Sequence, residues 1–267
     1  MEARISPDDD KKYINNRENI SADTPENSAA ADGGDKKYII PEWLSRTRAM
    51  LGDEAISSLM SASVLVAGLG GVGGHCAEAI ARAGVGNIRV CDCDVFDETN
   101  LNRQLLATRE SIGRSKALAA ADRIRSINPD CKVTVITERI TAENAAAVIG
   151  GASWVLDCID DVGGKLALIS AAAESGAAII SCMGTGNKLD PSRFRVTPID
   201  KTHTCPLAKA VRLKCRELSL SCLALWSDEP PMRSDIGVPM SNSWVPAAAG
   251  LMMAGHAILG ICGGGNN

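Results

Sequence analysis

One stretch constrains this chain more than any other: Val64-Leu65-Val66-Ala67-Gly68-Leu69-Gly70-Gly71-Val72-Gly73-Gly74. Four apolar residues run into a glycine-rich turn, and the chain leaves through Ala77, Ala79, Ile80 and Ala81, an apolar helical pattern. That is strand, tight turn, helix. Glycine in such a turn lets backbone N–H groups come within reach of phosphate oxygens, and the following helix directs its positive dipole end at the same charge. The spacing Gly68-x-Gly70-Gly71-x-Gly73 therefore predicts a nucleotide. It does not separate a dinucleotide from ATP, and some turns of this kind only pack a helix on a strand.

The same alternation continues downstream. Residues 87–91 read as a strand ending on Asp92 and Asp94, followed by a short helix through Arg103 and a longer one over residues 114–127, with Ala117, Leu118, Ala121 and Ile124 on one face. Asn128-Pro129 ends that helix. Strands are predicted at 132–136, 154–158 and 178–182, and helices at 142–149 and 164–174. Alternation of this sort implies right-handed crossovers and an α/β fold, a doubly wound, mostly parallel sheet of Rossmann-like type. Beyond Cys182 the pattern loosens into a C-terminal α/β extension: strands at 194–196 and 223–226, a basic helix at 206–218 and a closing helix at 247–262. Ahead of the first strand, Pro41, Trp43, Leu44, Met50, Leu51, Ile56, Leu59 and Met60 suggest one or two short helices, with Gly52 between them.

Charge is uneven. The chain carries 28 basic and 32 acidic residues, a formal net charge of -4, so no global basicity points to nucleic acid. Residues 1–37 hold nine acidic and six basic side chains, and with little apolar area to bury they are expected to form a disordered acidic tail. Residues 188–216 hold eight basic side chains against Asp190 and Asp200 only, a local excess that suits a polyanion or a solvated face. The ten cysteines form no Cys-x-x-Cys pair, and Cys76, Cys91, Cys158, Cys182 and Cys262 sit in apolar runs, as small hydrophobes do in a reducing compartment. Asp8-Asp9-Asp10-Lys11-Lys12 is incompatible with a secretory signal, and residues 245–262 are too short and interrupted for a comfortable membrane span. A cytoplasmic location is expected, with organellar targeting left open.

Ligands of open α/β sheets bind outside the carboxyl ends of the strands. Those ends carry Gly68, Asp92, Asp160 and Gly184. Asp92 lies 24 positions after Gly68, where a carboxylate can accept from a ribose hydroxyl; Asp94 reads as a turn cap. Asn100 and Arg103 share one face of a short helix, and Lys116 follows. Two cations brought to a glycine loop suit a triphosphate better than a dinucleotide, although both could be ordinary surface charges. Asp160 can hold Mg²⁺ against the phosphates, while Asp157 reads as structural and Asp161 as a helix cap.

Taken in order, Gly68-Leu69-Gly70-Gly71-Val72-Gly73, Gly84-Val85-Gly86-Asn87, Asp92-x-Asp94, Asn100-Leu101-Asn102-Arg103-Gln104, Gly113-x-x-Lys116, Ile127-Asn128-Pro129 and Asp157-x-x-Asp160 resemble the ATP-binding half of the ubiquitin-activating-enzyme-like superfamily. The resemblance implies adenylation of a carboxylate, with Gly68, Gly70, Gly71, Gly73, Asp92, Asn100, Arg103, Gln104 and Lys116 binding ATP. It implies Arg103, Lys116 and Asp160 in catalysis, Asp160 at Mg²⁺, a monovalent cation as a further candidate, and a homodimer in which Arg48, with Arg46 as the alternative, serves the partner's ATP.

The second half is more particular. Ser181-Cys182-Met183-Gly184-Thr185-Gly186-Asn187-Lys188-Leu189-Asp190-Pro191-Ser192-Arg193-Phe194, Asp200-Lys201-Thr202-His203-Thr204-Cys205-Pro206-Leu207-Ala208-Lys209, Trp226-Ser227-Asp228-Glu229 and Ser241-Asn242-Ser243-Trp244-Val245-Pro246 resemble the tRNA threonylcarbamoyladenosine dehydratases. That resemblance implies ATP-dependent dehydration and cyclisation of threonylcarbamoyladenosine next to the anticodon, with tRNA as partner. Lys201, His203, Lys209 and Arg212 are the candidates for tRNA contact. Cys205 stands where the family pattern has aspartate, and the segment between Glu229 and Pro239 is short. Cys205 also feeds a rival: activation of a ubiquitin-like or sulfur-carrier protein by adenylation and transfer to a thiol. A nucleotide-binding module without catalysis would leave Arg103, Lys116 and Asp160 unexplained. The domain plan is a tail over 1–37, an adenylation domain over 38–262 with an ATP-binding part at 60–182 and a substrate part at 183–262, and a flexible end at 263–267.

Overall fold

The computed structural model describes residues 38–235 and 237–263. The expected disordered tail, and all of the expected flexible end except Gly263, lie outside the described residues.

Among the described residues seven strands form one sheet: β1 (Ser63–Ala67), β2 (Asn87–Cys91), β3 (Lys132–Ile136), β4 (Trp154–Asp157), β5 (Ala178–Cys182), β6 (Phe194–Pro198) and β7 (Leu223–Ser227). Their order is β3-β2-β1-β4-β5-β7-β6. Every neighbouring pair is parallel except β6 with β7. Burial explains the sequence of the central strands. β1 and β4 are covered on both faces and carry the apolar runs Val64 to Ala67 and Trp154 to Leu156, whereas β3, at the edge, exposes Lys132 and Thr134.

Among the described residues eight α-helices surround the sheet: α1 (Ser45–Leu51), α2 (Asp53–Ser61), α3 (Gly73–Arg82), α4 (Lys116–Ile127), α5 (Ala145–Ile149), α6 (Val162–Ser175), α7 (Pro206–Glu217) and α8 (Val245–Ile261). One face of the sheet buries Val64, Val66, Ile88 and Val90 with Ile80 of α3, Ile124 of α4 and Met253 of α8. The other buries Leu65 and Val155 with Val148 of α5 and Leu168 of α6, and α7 extends that layer through Ala208 and Val211. The C-terminal extension thus continues the same sheet, and α8 returns to pack on α3. Among the described residues no helix is long and apolar enough to cross a membrane.

The expected helix through Arg103 is absent. A 3-10 turn at Glu98–Asn100 stands in its place, opened by a capping box in which the Asp97 carboxylate accepts from the Thr99 N–H and the Asn100 side chain accepts from the Asp97 N–H. The helix expected from 114 begins at Lys116, where the Ser115 hydroxyl caps it. The helix expected from 142 begins at Ala145, since the Asn144 side chain bonds back to Thr141 N–H and Arg139 C=O instead of allowing an earlier start.

Candidate active site

The strand order reverses at β1, whose neighbours are β2 and β4. Connections leaving β1 and β4 diverge there and open a crevice at the carboxyl ends. It is a cleft of about 430 Å³, lined by Gly68, Gly70 and Gly71 after β1, Asp92, Cys93 and Asp94 after β2, Glu138, Arg139 and Ile140 after β3, Ile159, Asp160 and Asp161 after β4, with Asn100, Arg103, Gln104 and Lys116 closing one side. That volume lies within the range of small-molecule sites. Nine sequence candidates, Gly68, Gly70, Gly71, Asp92, Asn100, Arg103, Gln104, Lys116 and Asp160, meet in this one cleft.

Each is placed by its element. Gly68 has φ +81°, and a Cβ there would stand 2.9 Å from the Cys158 carbonyl, so only glycine lets the loops after β1 and β4 touch. The Asp92 carboxylate accepts from Leu69 N–H at 2.6 Å and from Asp94 N–H at 2.9 Å, which ties the end of β2 to the glycine loop. Burial pushes the Asp92 carboxyl up from the ordinary range, opposed by those two N–H groups and by the charge of Lys116. Asp94 is not the turn cap expected of it. Its carboxylate lies 3.1 Å from the buried Lys116 ammonium, and its carbonyl accepts the Lys116 backbone N–H.

Arg103 is half-buried, with its guanidinium held by the Thr99 carbonyl at 3.0 Å and the Asn102 amide oxygen at 2.8 Å. Gln104 Oε1 is buried with no hydrogen-bond partner. An orphaned buried acceptor costs about 1–3 kcal/mol unless a ligand satisfies it, so this wall fits a bound donor. Among the described residues the exposed Asp160 carboxylate takes no hydrogen bond or ion pair, while its neighbour Asp161 caps α6 through Gly164 N–H at 2.8 Å, as expected. A carboxylate in the lining of a cleft that also holds Arg103, Lys116 and the glycine loop has the chemistry of a hard-cation ligand beside phosphates.

The remaining candidates fall elsewhere. Gly73 is not in the lining: a Cβ there would stand 1.7 Å from the Gly68 carbonyl oxygen, so it serves the folding of the turn against α3 and not ligand contact. Arg48 lies outside the cleft on α1, exposed and paired with Asp53 through two 2.6 Å contacts. Lys201 and Lys209 are exposed. His203 is exposed too, but packs edge-on against Trp226 with ring centroids 4.4 Å apart. Arg212 is half-buried and donates to the Thr202 carbonyl and hydroxyl, which makes it a brace for that loop. Cys205 is 3% exposed, facing Gly184, and all ten cysteines are free thiols. Burial pushes Cys91 up to about 12 and Cys131 up to about 11, the behaviour of packing residues.

Sequence reasoning missed Glu138, Arg139, Ile140 and Ile159. Their only signal was position directly after a strand, which carries no residue preference. The buried Lys165, at 0% exposure, was also missed inside an apolar helix pattern.

The ThiF family pattern matches residues 44–267. A tRNA threonylcarbamoyladenosine dehydratase from Bacillus subtilis is 37% identical over 235 residues, covering 80% of this chain and 92% of the relative. The crystal structure of the Escherichia coli tRNA N6-threonylcarbamoyladenosine dehydratase in complex with AMP superimposes with a TM-score of 0.80 at 32% identity, covering 85% of this chain and 98% of that one. A structure of the E. coli protein in complex with ATP gives a TM-score of 0.78 at 33% identity, with the same coverage.

Proposed function

The chain belongs to the ThiF family, and from that premise we propose that it is an ATP-dependent tRNA threonylcarbamoyladenosine dehydratase. The observation that carries this is the meeting, at one switch-point cleft, of a glycine loop, a ribose-competent carboxylate, two cations and a free Asp160.

In this reading the ribose hydroxyls lie against Asp92 and the phosphates over Gly68 to Gly71, with Asn100, Arg103, Gln104 and Lys116 around them. The threonine carboxylate of the modified base attacks the α-phosphorus, and the bond to pyrophosphate breaks. Arg103 and Lys116 offset the charge that gathers on the departing oxygens. The acyl-adenylate then reacts with a nucleophile of the same base: the acyl C–O bond to AMP breaks, a ring closes, and one carboxylate oxygen leaves with AMP. The net change in the base is loss of one water. Asp160 would hold Mg²⁺, which when bound neutralises phosphate charge. No enzyme thiol is required, and the burial of Cys205 favours this path over thiol transfer to a carrier protein.

Arg48 we assign to the nucleotide site of a second copy in a homodimer. Its exposure on α1 beside Met50, which is 83% exposed, supports that assignment. The tRNA lies across the exposed cations Lys201 and Lys209, and Arg212 supports the loop beneath them. Lys209→Glu is expected to weaken tRNA binding at every sequence alike and to lower the slope of log affinity against log salt by about 1. An unaltered slope in a filter-binding titration removes Lys209 from the interface.

The decisive experiment incubates the protein with ATP, Mg²⁺ and tRNA bearing threonylcarbamoyladenosine. Mass spectrometry of the digested tRNA is expected to show the nucleoside lighter by one water, with AMP and pyrophosphate formed in equal amounts. ATP consumption without that mass change, on tRNA that the E. coli enzyme does convert, rejects the assignment.

A further inference from the structure

Beneath the cleft lies a charged network that no step above uses. Asp157 at the end of β4, Lys165 on α6 and Ser181 on β5 are all fully buried. The Lys165 ammonium lies 3.0 Å from Asp157 Oδ2 and 3.2 Å from Ser181 Oγ, and the Ser181 hydroxyl donates to Asp157 Oδ2 at 2.5 Å. A buried ion pair is a weak source of stability, since apolar residues of the same volume often serve as well, so its presence calls for another explanation.

Its position supplies one. The second oxygen of Asp157 accepts the Ile159 N–H at 3.2 Å, inside the short loop that carries Asp160. The loop begins with Cys158 N–H donating to Ala67 C=O at 2.8 Å, next to the glycine turn, and ends with Asp161 capping α6. Asp160 is thus suspended between a carboxylate locked by Lys165 and the helix on which Lys165 sits. Resting on the assignment of Asp160 given above, we propose that Lys165 and Ser181 are positioning residues: by holding the Asp157 carboxylate in one orientation they fix the loop over residues 158–161, and so aim Asp160 into the nucleotide cleft.

The test compares Lys165→Met, Lys165→Arg, Ser181→Ala and Asp160→Ala in the full chain. Two readouts are followed, amide hydrogen exchange of residues 158–164 in the protein without nucleotide, and adenylation kinetics against Mg²⁺ concentration. Lys165→Met is expected to speed exchange in that segment at least about tenfold while β1 and α3 stay protected, and to raise the half-saturating Mg²⁺ about tenfold. Lys165→Arg restores both in large part, and Ser181→Ala shows the same changes in smaller degree. Unchanged exchange and unchanged Mg²⁺ dependence in Lys165→Met overturn the proposal. If Lys165→Met does not fold, unchanged values in Ser181→Ala overturn it instead. Asp160→Ala separates the two levels: normal Mg²⁺ dependence in that variant refutes the role given to Asp160, whereas a defect there with none in a folded Lys165→Met refutes only the positioning role.

Discussion

Replacing Lys116 by methionine is expected to slow acyl-adenylate formation about 100- to 1,000-fold, the usual loss when one preorganised donor to a developing negative charge is removed. Lys116 opens α4 with its side chain 9% exposed and its ammonium held by Asp94, so it presents a fixed charge and needs no reorganisation as pyrophosphate leaves. The substitution separates chemistry from folding. Removing one partner of a buried pair normally strands the other, but the Asp94 side chain is 66% exposed and stays solvated when Lys116 is gone. Thermal stability is therefore expected to move by no more than about 1 kcal/mol. Lys116→Arg keeps the charge on a longer, planar group, and should recover part of the rate. Pyrophosphate exchange into ATP, measured with tRNA present, checks this; a Lys116→Met protein exchanging at the parent rate would remove Lys116 from the phosphate site.

The place of Asp92 in the cleft was legible because it follows from a strand end, and that of Arg103 and Lys116 because they lie in the connection that leaves the same strand. Asp92 closes a strand of period-two burial, and a strand end in a parallel sheet is at the ligand face whatever follows it. Asp94 was misjudged for a physical reason: whether a carboxylate two residues past a strand caps its own turn or reaches a cation 22 residues later depends on where α4 lands, and no local pattern encodes that. The same limit hid Lys165. A single lysine in an apolar helix pattern is normally a solvated charge or a snorkelling one, and its burial becomes visible only when Asp157 and Ser181 are brought beside it by neighbouring strands. Helix α7 shows the converse. Arg212 stood among basic residues and looked like its neighbours, yet its guanidinium closes on the Thr202 carbonyl within the same loop-helix unit. Composition identifies a basic segment; hydrogen-bond partners decide which of its cations remain available to a polyanion.

Gly73→Ala is expected to be strongly destabilising for a change of a single methyl. The added Cβ would sit 1.7 Å from the Gly68 carbonyl oxygen and 3.2 Å from the Cys158 side chain. Neither neighbour can yield cheaply. Gly68 is fixed by its N–H to the Cys91 carbonyl at 2.8 Å, and Cys158 by its N–H to Ala67. Backbone must shift, at a cost of about 3 kcal/mol or more, the upper end for overpacking a close-packed interior. At about 2–4 °C per kcal/mol for a domain of this size, the melting temperature should fall by about 6–12 °C. The same displacement moves the Gly68 turn away from Asp92 and loosens the loop that carries Asp160, so nucleotide affinity should fall in the fraction that remains folded. Gly70→Ala is the informative contrast: its Cβ would meet Gln104 Nε2 at 3.7 Å, an ordinary contact, so the fold should tolerate it while the methyl intrudes on the space above the loop. Melting curves with and without ATP distinguish the two. Gly73→Ala should lower the melting point of the free protein, and Gly70→Ala should leave it in place but shrink the rise that ATP produces. A Gly73→Ala protein as stable as the parent would mean that the turn does not approach α3 as closely as its carbonyl at Gly68 indicates.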